Sequence, residues 1–285
     1  MSKIVVEGFV LEQLPELTPL LIEGYPQVDP AFWPKLRARL ALLHRPAAHP
    51  EVGFVMRAQG EPVGIIIAIF SERRAGAATF TVCNTSLWYI KSKYRALGLT
   101  MLRKLVVPGR TVTCYTAIAS TVPLLEASGF AVTSNGVLYA PPGWNLEKLK
   151  PAVVRAPTAE RLARLDPLEQ RLITDHVALG CIAALVSHRG ESFPFVVAAK
   201  RQGPLRVGRV IYARSVDVLE RYIENVNFYL LRHGVVGLSF DTEPAKTPVR
   251  GIFRPAPGGK RQAGSDLDLR VDLAYSERVI GVDLD

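Results

Sequence analysis

Three extended runs followed by an alternation of helix and strand most constrain the fold of this chain. Gly53–Ala58 and Pro62–Ser71 are apolar runs separated by Gln59-Gly60-Glu61, which is the pattern of a β-hairpin. Ala77–Ile90 is a longer strand candidate that ends in the aromatic pair Trp88-Tyr89. Next come a helix, a strand, a short helix and a final strand, at Leu97–Val106, Thr111–Ile118, Thr121–Ala127 and Phe130–Leu138. The order β-β-β-α-β-α-β predicts a mixed α/β domain.

The second half of the chain shows a similar order. It is predicted to begin with a long helix at Pro167–Leu185, followed by two strands at Phe193–Lys200 and Arg206–Arg214. A second helix at Val216–Arg232 and a further strand at Val235–Asp241 come next. A surface loop rich in Pro and Gly at Thr242–Ser265 and a closing strand at Asp266–Ala274 end the series. We interpret this as a degenerate internal duplication with domains at 1–145 and 146–285. Two unrelated α/β halves are the alternative.

The segment from Trp88 to Thr100 connects the long strand to the first helix of the repeat. A helix start presents unpaired N–H groups and the positive end of the helix dipole, which suits a diphosphate. Gly98 lets the chain approach phosphates closely. Lys91, Lys93 and Arg95 add positive charge. The segment therefore predicts an anion-binding loop.

This segment resembles the acyl-CoA loop of the GNAT N-acetyltransferase superfamily, [QR]-x-x-G-x-[GA]. It matches at Arg95 and Gly98 and departs at Thr100, where Gly or Ala is usual. The stretch LLEASGFAVTSNGVLY resembles the last helix, Gly-Phe corner and final strand of that family. The resemblance implies a mixed α/β GNAT fold in two GNAT-like halves. The second copy is degenerate, since Ala213–Asp217 lacks the loop pattern.

The resemblance also implies a cofactor site for acetyl-CoA or another acyl-CoA. Backbone amides of the loop would hold the pyrophosphate, and the end of the preceding strand would pair with the pantetheine arm. The cofactor-binding residues implied in this way are Tyr89, Ile90, Arg95, Ala96, Leu97, Gly98, Leu99 and Thr100.

The proton-transfer groups are less well defined. Many GNAT enzymes place a Tyr general acid at the position that is Leu125 here, so another group would supply the proton. The candidates on the preceding strand are Tyr115, Cys114 and Thr116, each of which could also be a packing residue. Glu72 is a candidate base, or a solvated strand end. His176 could reach a pocket between the halves, or be a helix-surface or interface residue.

Near the C-terminus, Asp272, Tyr275 and Glu277 form a polar cluster, interpreted either as a strand-end salt bridge or as part of an acceptor site.

Charge and cysteine content limit the other classes of function. The formal net charge of +9 attracts anions in general, but no dense Lys/Arg run indicates nucleic-acid binding. Cys83, Cys114 and Cys181 are far apart, so neither a metal site nor a disulfide framework is predicted, and a reducing cytoplasm fits best. No signal peptide is expected, and the apolar run Val63–Phe70 is too short to span a bilayer.

The sequence thus predicts an acyltransferase that moves an acetyl or other acyl group from acyl-CoA to an amine or hydroxyl of a small-molecule acceptor. The second half would contribute to the acceptor cleft. A homodimer is compatible with this interpretation. One alternative is a catalytically silent GNAT-like protein that binds CoA or a protein partner. Another is a basic protein that binds nucleic acid or an anionic surface. No nucleophile-elbow, HExxH, Walker or dinucleotide motif is present.

Overall fold

The computed structural model describes residues 3–76, 78–265 and 267–281. The chain forms two compact units. The first comprises the described residues within 1–132, 260–266 and 275–285, and the second those within 133–259 and 267–274. Each unit therefore contains residues from both halves of the sequence. No described helix has the length and apolar character needed to cross a membrane.

The first unit is built on a mixed sheet. Its elements are β1 (Ile4–Phe9), α1 (Leu14–Gly24), α2 (Phe32–Leu42), β2 (Gly53–Ala58), β3 (Glu61–Ala75), β4 (Ala78–Ile90), α3 (Gly98–Leu105), β5 (Arg110–Cys114), α4 (Val122–Ala127) and, from the end of the chain, α8 (Glu277–Ile280). Strands β1 to β4 pair antiparallel in chain order, and β4 pairs parallel with β5. Residues 261–263 then pair antiparallel with β5.

The second unit has the same strand order. Its elements are β6 (Ala131–Ala140), β7 (Val153–Arg155), α5 (Ala159–Leu162), α6 (Pro167–Ala178), β8 (Ile182–His188), β9 (Glu191–Gln202), β10 (Leu205–Ala213), α7 (Val216–Leu231), β11 (Leu238–Asp241) and β12 (Ile252–Ala263). Strands β7 to β10 pair antiparallel in chain order, β10 pairs parallel with β11, and β6 pairs antiparallel with β11.

The matching topologies confirm the predicted duplication into two α/β halves. The sixth strand of each unit comes from the opposite half of the sequence, because β6 pairs with β11 whereas the end of β12 pairs with β5. In each unit the crossover helix between the parallel strands contributes to the core. Helix α3 buries Leu102 and Leu105, and α7 buries Tyr222 and Ile223.

Several predicted elements differ in the structure. The segment Thr242–Ser265 is not a surface loop, since it contains β12, whose residues Lys260 to Ala263 are buried. The helix predicted to reach Leu185 ends at Ala178, because Gly180 takes a positive φ of 88° and β8 follows. The predicted closing strand reduces to an isolated bridge between Tyr212 and Asp272, and its residue 266 lies outside the described residues.

The hairpin between β2 and β3 was predicted correctly and has a turn whose backbone favours glycine. Gln59 and Gly60 have φ values of 55° and 89°, which is the left-handed pair of a two-residue turn that matches strand twist. No atom lies within 4 Å of a Cβ built on Gly60, so a side chain there would be opposed by backbone strain alone.

We expect Gly60→Val to lower the free energy of unfolding by about 1–2 kcal/mol, because a β-branched residue is strained at positive φ. Gly60→Asn should cost less, since Asn tolerates this region. Urea unfolding followed by circular dichroism measures both, and equal losses for the two variants would contradict this explanation.

Candidate functional site

The site is built where two parallel strands of the first unit separate. Strands β4 and β5 pair over Thr81–Asn84 and Arg110–Thr113 only. Strand β5 ends at Cys114, four residues short of the predicted Ile118, whereas β4 continues to Ile90. The part of β4 after Asn84 therefore has main-chain groups that β5 does not use. The Thr85 hydroxyl donates to the Thr113 carbonyl at 3.0 Å, just beyond the last paired residues.

A β-bulge occurs in this separated part of β4. Ile65 pairs with Tyr89 and Ile67 with Ser86, so Leu87 and Trp88 together oppose one residue of β3. Leu87 has a φ of 48°, which costs about 1–3 kcal/mol for a non-glycine residue. A bulge bends its strand and leaves the extra residue out of the ladder.

A cavity of about 60 Å³ occupies the gap between the strands. It is lined by Tyr25, Thr85, Ser86, Leu87, Trp88, Cys114, Thr116, Ala117, Ile118, Thr121 and Leu125. Two of its buried polar atoms, Ser86 Oγ and Trp88 Nε1, have no hydrogen-bond partner within the described parts of the chain. Buried polar atoms are normally paired, so these two are available to a ligand.

Tyr25, which follows α1, reaches this cavity from a remote part of the sequence. Its hydroxyl donates to the main-chain carbonyl of Trp88 at 3.1 Å. Burial raises the pKa of Tyr25, so the phenol stays protonated at neutral pH. A Cβ on Gly24 would overlap the ring of Tyr89, and this glycine is what allows the end of α1 to pack on β4.

The predicted anion-binding loop takes a different local form from the one expected. Residues Ser92–Leu97 form a 3₁₀ turn, and α3 begins only at Gly98. The Gly98 N–H donates to the Arg95 carbonyl, and a Cβ on Gly98 would lie 3.1 Å from the Trp88 ring. Gly98 thus permits close packing on Trp88, and its own amide has a partner within the loop.

The predicted cofactor residues lie together at the end of β4 and the start of α3. Arg95, Ala96 and Thr100 are exposed, Tyr89, Leu97 and Leu99 are half-buried, and Ile90 and Gly98 are buried. Cationic side chains surround them. Lys91 Nζ is 3.5 Å from Glu23 Oε2, and Glu23 Oε1 accepts a bond from the Tyr89 hydroxyl at 2.9 Å. Lys93 lies over the ring of Tyr94.

The three predicted catalytic residues lie in different environments. Tyr115 is buried, with the Lys260 ammonium 5.0 Å from its ring centroid. Glu72 pairs with Thr81, four ladder positions from the Ala68–Thr85 pair, or about 13 Å along the strand. His176 belongs to the second unit, is fully buried and bonds its Nδ1 to the Leu172 carbonyl at 2.7 Å. Within the first unit, Glu72 therefore lies away from the segment of β4 that lines the cavity.

Glu277 is a functional candidate whose role the sequence left open. It starts α8 and is fully buried. Its Oε1 accepts bonds from the Tyr115 N–H at 2.9 Å and from the Thr116 hydroxyl at 3.1 Å. Burial raises the pKa of this carboxyl, and Arg278 opposes the shift. The polar cluster around Glu277 was the sequence signal for it, but the contact with Thr116 was not foreseeable.

Cys114 lines the cavity, but its thiol has low nucleophilic reactivity. Burial and the Glu277 carboxylate raise the pKa of its thiol to about 12. Because the thiolate is the nucleophile, a neutral thiol does not favour a covalent acyl-enzyme on this residue. No cluster of three or more His, Cys, Asp or Glu suited to a metal ion occurs in the described ranges.

The strand order of each unit is that of the GNAT fold, which is present here in two copies. The sequence matches no family model and no curated protein sequence. Solved structures have the same fold at low identity.

A putative acetyltransferase from Pyrococcus horikoshii has a TM-score of 0.50 at 15% identity, over 95% of this chain and 93% of that one. A GCN5-related N-acetyltransferase from Anabaena variabilis has a TM-score of 0.58 at 9% identity, over 91% and 72%. The N-myristoyltransferase of Saccharomyces cerevisiae, solved with bound myristoyl-CoA, has a TM-score of 0.50 at 12% identity, over 100% and 87%.

The raised thiol pKa makes Cys114 resistant to alkylation. At pH 8 we expect iodoacetamide to modify it roughly 10³-fold more slowly than an ordinary cysteine, because its thiolate fraction is that much smaller. The rate should increase with pH up to about 12. Mass spectrometry of the native protein measures this, with the urea-unfolded chain as reference. Equal rates in both states would show that the thiol is not shielded.

Proposed function

We propose that this protein transfers an acyl group from an acyl-CoA thioester to an amine or hydroxyl of a small-molecule acceptor. The observation that carries the proposal is the free edge of β4 beside a cavity with unpartnered polar atoms. The fold also supports the proposal, because this chain shares it with solved acetyltransferases.

The free edge of β4 suits the extended arm of an acyl-CoA. An extended ligand adds to a sheet edge as a further strand, through main-chain hydrogen bonds. The arm would lie along Thr85–Ile90, with its thioester at the bulge. The bulge takes main-chain groups of Leu87 and Trp88 out of the ladder with β3. N–H groups fixed near a thioester carbonyl stabilise the oxyanion, typically by 10²–10³-fold in rate per donor.

The loop after β4 suits the phosphate end of the same ligand. Lys93 and Arg95 are exposed beside the first turn of α3, whose dipole favours anions. The cofactor would therefore extend from these cations to the cavity. Ser86 Oγ and Trp88 Nε1 would bond to its polar atoms near the thioester.

The protonation states favour direct transfer to the acceptor. The Cys114 thiol is neutral, so it is a poor intermediate carrier of the acyl group. The Tyr25 phenol keeps its proton and donates it to the Trp88 carbonyl, so it holds the bulge in place and does not act as a base. We also propose a cytoplasmic location, because Cys83, Cys114 and Cys181 form no disulfide, as is usual for proteins of a reducing compartment.

A second candidate function is a GNAT-like protein that binds CoA without catalysing transfer. Two contacts favour it. The Tyr25 hydroxyl occupies the Trp88 carbonyl, and the Gly98 N–H is used by Arg95, so both groups are already paired without a ligand. Tight acetyl-CoA binding with no thiol release across a panel of amine and hydroxyl acceptors would select this function.

We expect reversal of the loop charge to weaken acyl-CoA binding. The double variant Lys93→Glu/Arg95→Glu should raise the Kd for acetyl-CoA at least tenfold at 0.15 M salt, because it replaces attraction to phosphate by repulsion within about one Debye length. The matched control is Arg103→Glu/Lys104→Glu, which makes the same charge change at the other end of α3 and should raise the Kd less than about threefold.

Titration calorimetry distinguishes the outcomes. No heat from the wild-type protein would end the proposal. Equal weakening by the two double variants would show that only the net charge of the protein matters, and would remove the loop from the binding site.

A further inference from the structure

The position of the Glu277 carboxylate is fixed by the two strands that frame the cavity. The backbone N–H of Glu277 donates to Asn84 Oδ1 at 3.1 Å, and Asn84 Nδ2 donates to Thr113 Oγ1 at 3.1 Å. Asn84 and Thr113 are the last pair of the β4–β5 ladder. The carboxylate thus lies where these two strands separate, and it accepts from the Tyr115 N–H, which directly follows β5.

One carboxylate oxygen is engaged and the other is not. Oε1 accepts from the Tyr115 N–H and the Thr116 hydroxyl. Oε2 is buried and lacks a hydrogen-bond partner among residues 3–76, 78–265 and 267–281. The two Oε1 bonds hold the group in place. The lack of a donor to Oε2 in the described residues leaves the carboxylate able to take up a proton along the Thr116 bond.

The bond to Glu277 fixes what Thr116 presents to the cavity. A hydroxyl has one proton to donate, and an ionised carboxylate can only accept. Since the Thr116 proton is donated to Glu277, its oxygen lone pairs are left for other partners. Thr116 lines the cavity, so it can accept a hydrogen bond from an N–H or O–H group placed there. An attacking amine or hydroxyl carries such an N–H or O–H group and must lose its proton during the reaction.

We propose that Thr116 and Glu277 together receive the proton of the acceptor during acyl transfer, an inference that rests on the proposed function. As the acceptor nitrogen or oxygen bonds to the thioester carbon, its proton passes to the Thr116 oxygen, and the Thr116 proton passes to Glu277. The carbon–sulfur bond breaks, and CoA leaves as a thiolate. The proton on Glu277 returns to solvent through Thr116 after the product departs. Thr116 is the catalytic residue, and Glu277 acts through it.

The electrostatic surroundings set the pH range of this pair. Burial raises the pKa of Glu277 above that of an ordinary Glu, and Arg278 opposes this shift. A general base works best when its pKa lies close to the working pH. The titratable and charged groups in contact or interaction with Glu277 are Arg278, Tyr115 and Cys114. Lys260 lies over the Tyr115 ring, and Arg261 lowers the pKa of Cys114.

The decisive variant is Glu277→Gln. Its amide oxygen can still accept from Tyr115 and Thr116, but it cannot take a proton. We expect kcat for acetyl transfer to an amine acceptor to fall by about 10²–10⁴-fold, with the Kd for acetyl-CoA within about twofold of wild type. The rise of kcat with pH through the ionisation of Glu277 should disappear. Thr116→Ala should be similarly slow, and Thr116→Ser should recover most of the rate.

The control is Glu126→Gln, which removes a nearby carboxylate that pairs with Arg261 and does not line the cavity. Its kcat should stay within about threefold of wild type. An active wild-type protein with a fully active Glu277→Gln variant would overturn the inference and leave the transferase intact. Loss of activity in Glu72→Gln but not in Glu277→Gln would assign the base to Glu72. A wild-type protein that binds acetyl-CoA but transfers to no acceptor would end both proposals.

Discussion

The separation of β4 from β5 is the constraint on which the rest of the site depends. Glu277 maintains it, because its carboxylate takes the Tyr115 N–H that would otherwise be free to pair with a strand. A typical hydrogen bond contributes about 0.5–1.5 kcal/mol net, whereas an unpaired buried acceptor costs about 1–3 kcal/mol. Because Oε2 has no partner in the described residues, the net contribution of Glu277 to the free energy of unfolding is small. Such a balance is consistent with a carboxylate that has a chemical role at the cavity as proposed above.

The bulge in β4 places a strained backbone beside the point where β4 and β5 separate. Leu87 has a positive φ, yet its side chain is 2% exposed. Full burial of a leucine contributes about 1.5–3 kcal/mol, which is similar to the cost of the strain. The Tyr25 bond to the Trp88 carbonyl adds a second restraint on the bulged residues. Core packing and one hydrogen bond thus hold a geometry that a regular strand would not adopt.

Local pattern predicted the elements whose partners are close in sequence. The β2–β3 hairpin, β4 and the crossover helices follow from apolar periodicity and turn residues. The end of β5 could not be predicted, because Thr111–Ile118 is one β-branched run and its interruption depends on Glu277, 162 residues away from Tyr115. Strand β12 was missed because its Pro and Gly content is that of a loop, whereas pairing with β5 decides its structure. For the site, the cations near Gly98 and the polar cluster that contains Glu277 could be seen in the sequence, whereas Tyr25 and the contact of Glu277 with Thr116 could not.

The exchange of sixth strands between the two halves has a consequence for biosynthesis. Strand β5 receives its outer neighbour from residues 261–263, and Glu277 bonds to Thr116, which lines the cavity. Both are synthesised after the whole segment from β6 to β11. On the ribosome the first unit therefore has an open sheet edge while that segment is being translated, and such edges are prone to aggregation. Assembly of this unit is completed only after Glu277 has been synthesised, so β5 would need protection while the second unit is being made.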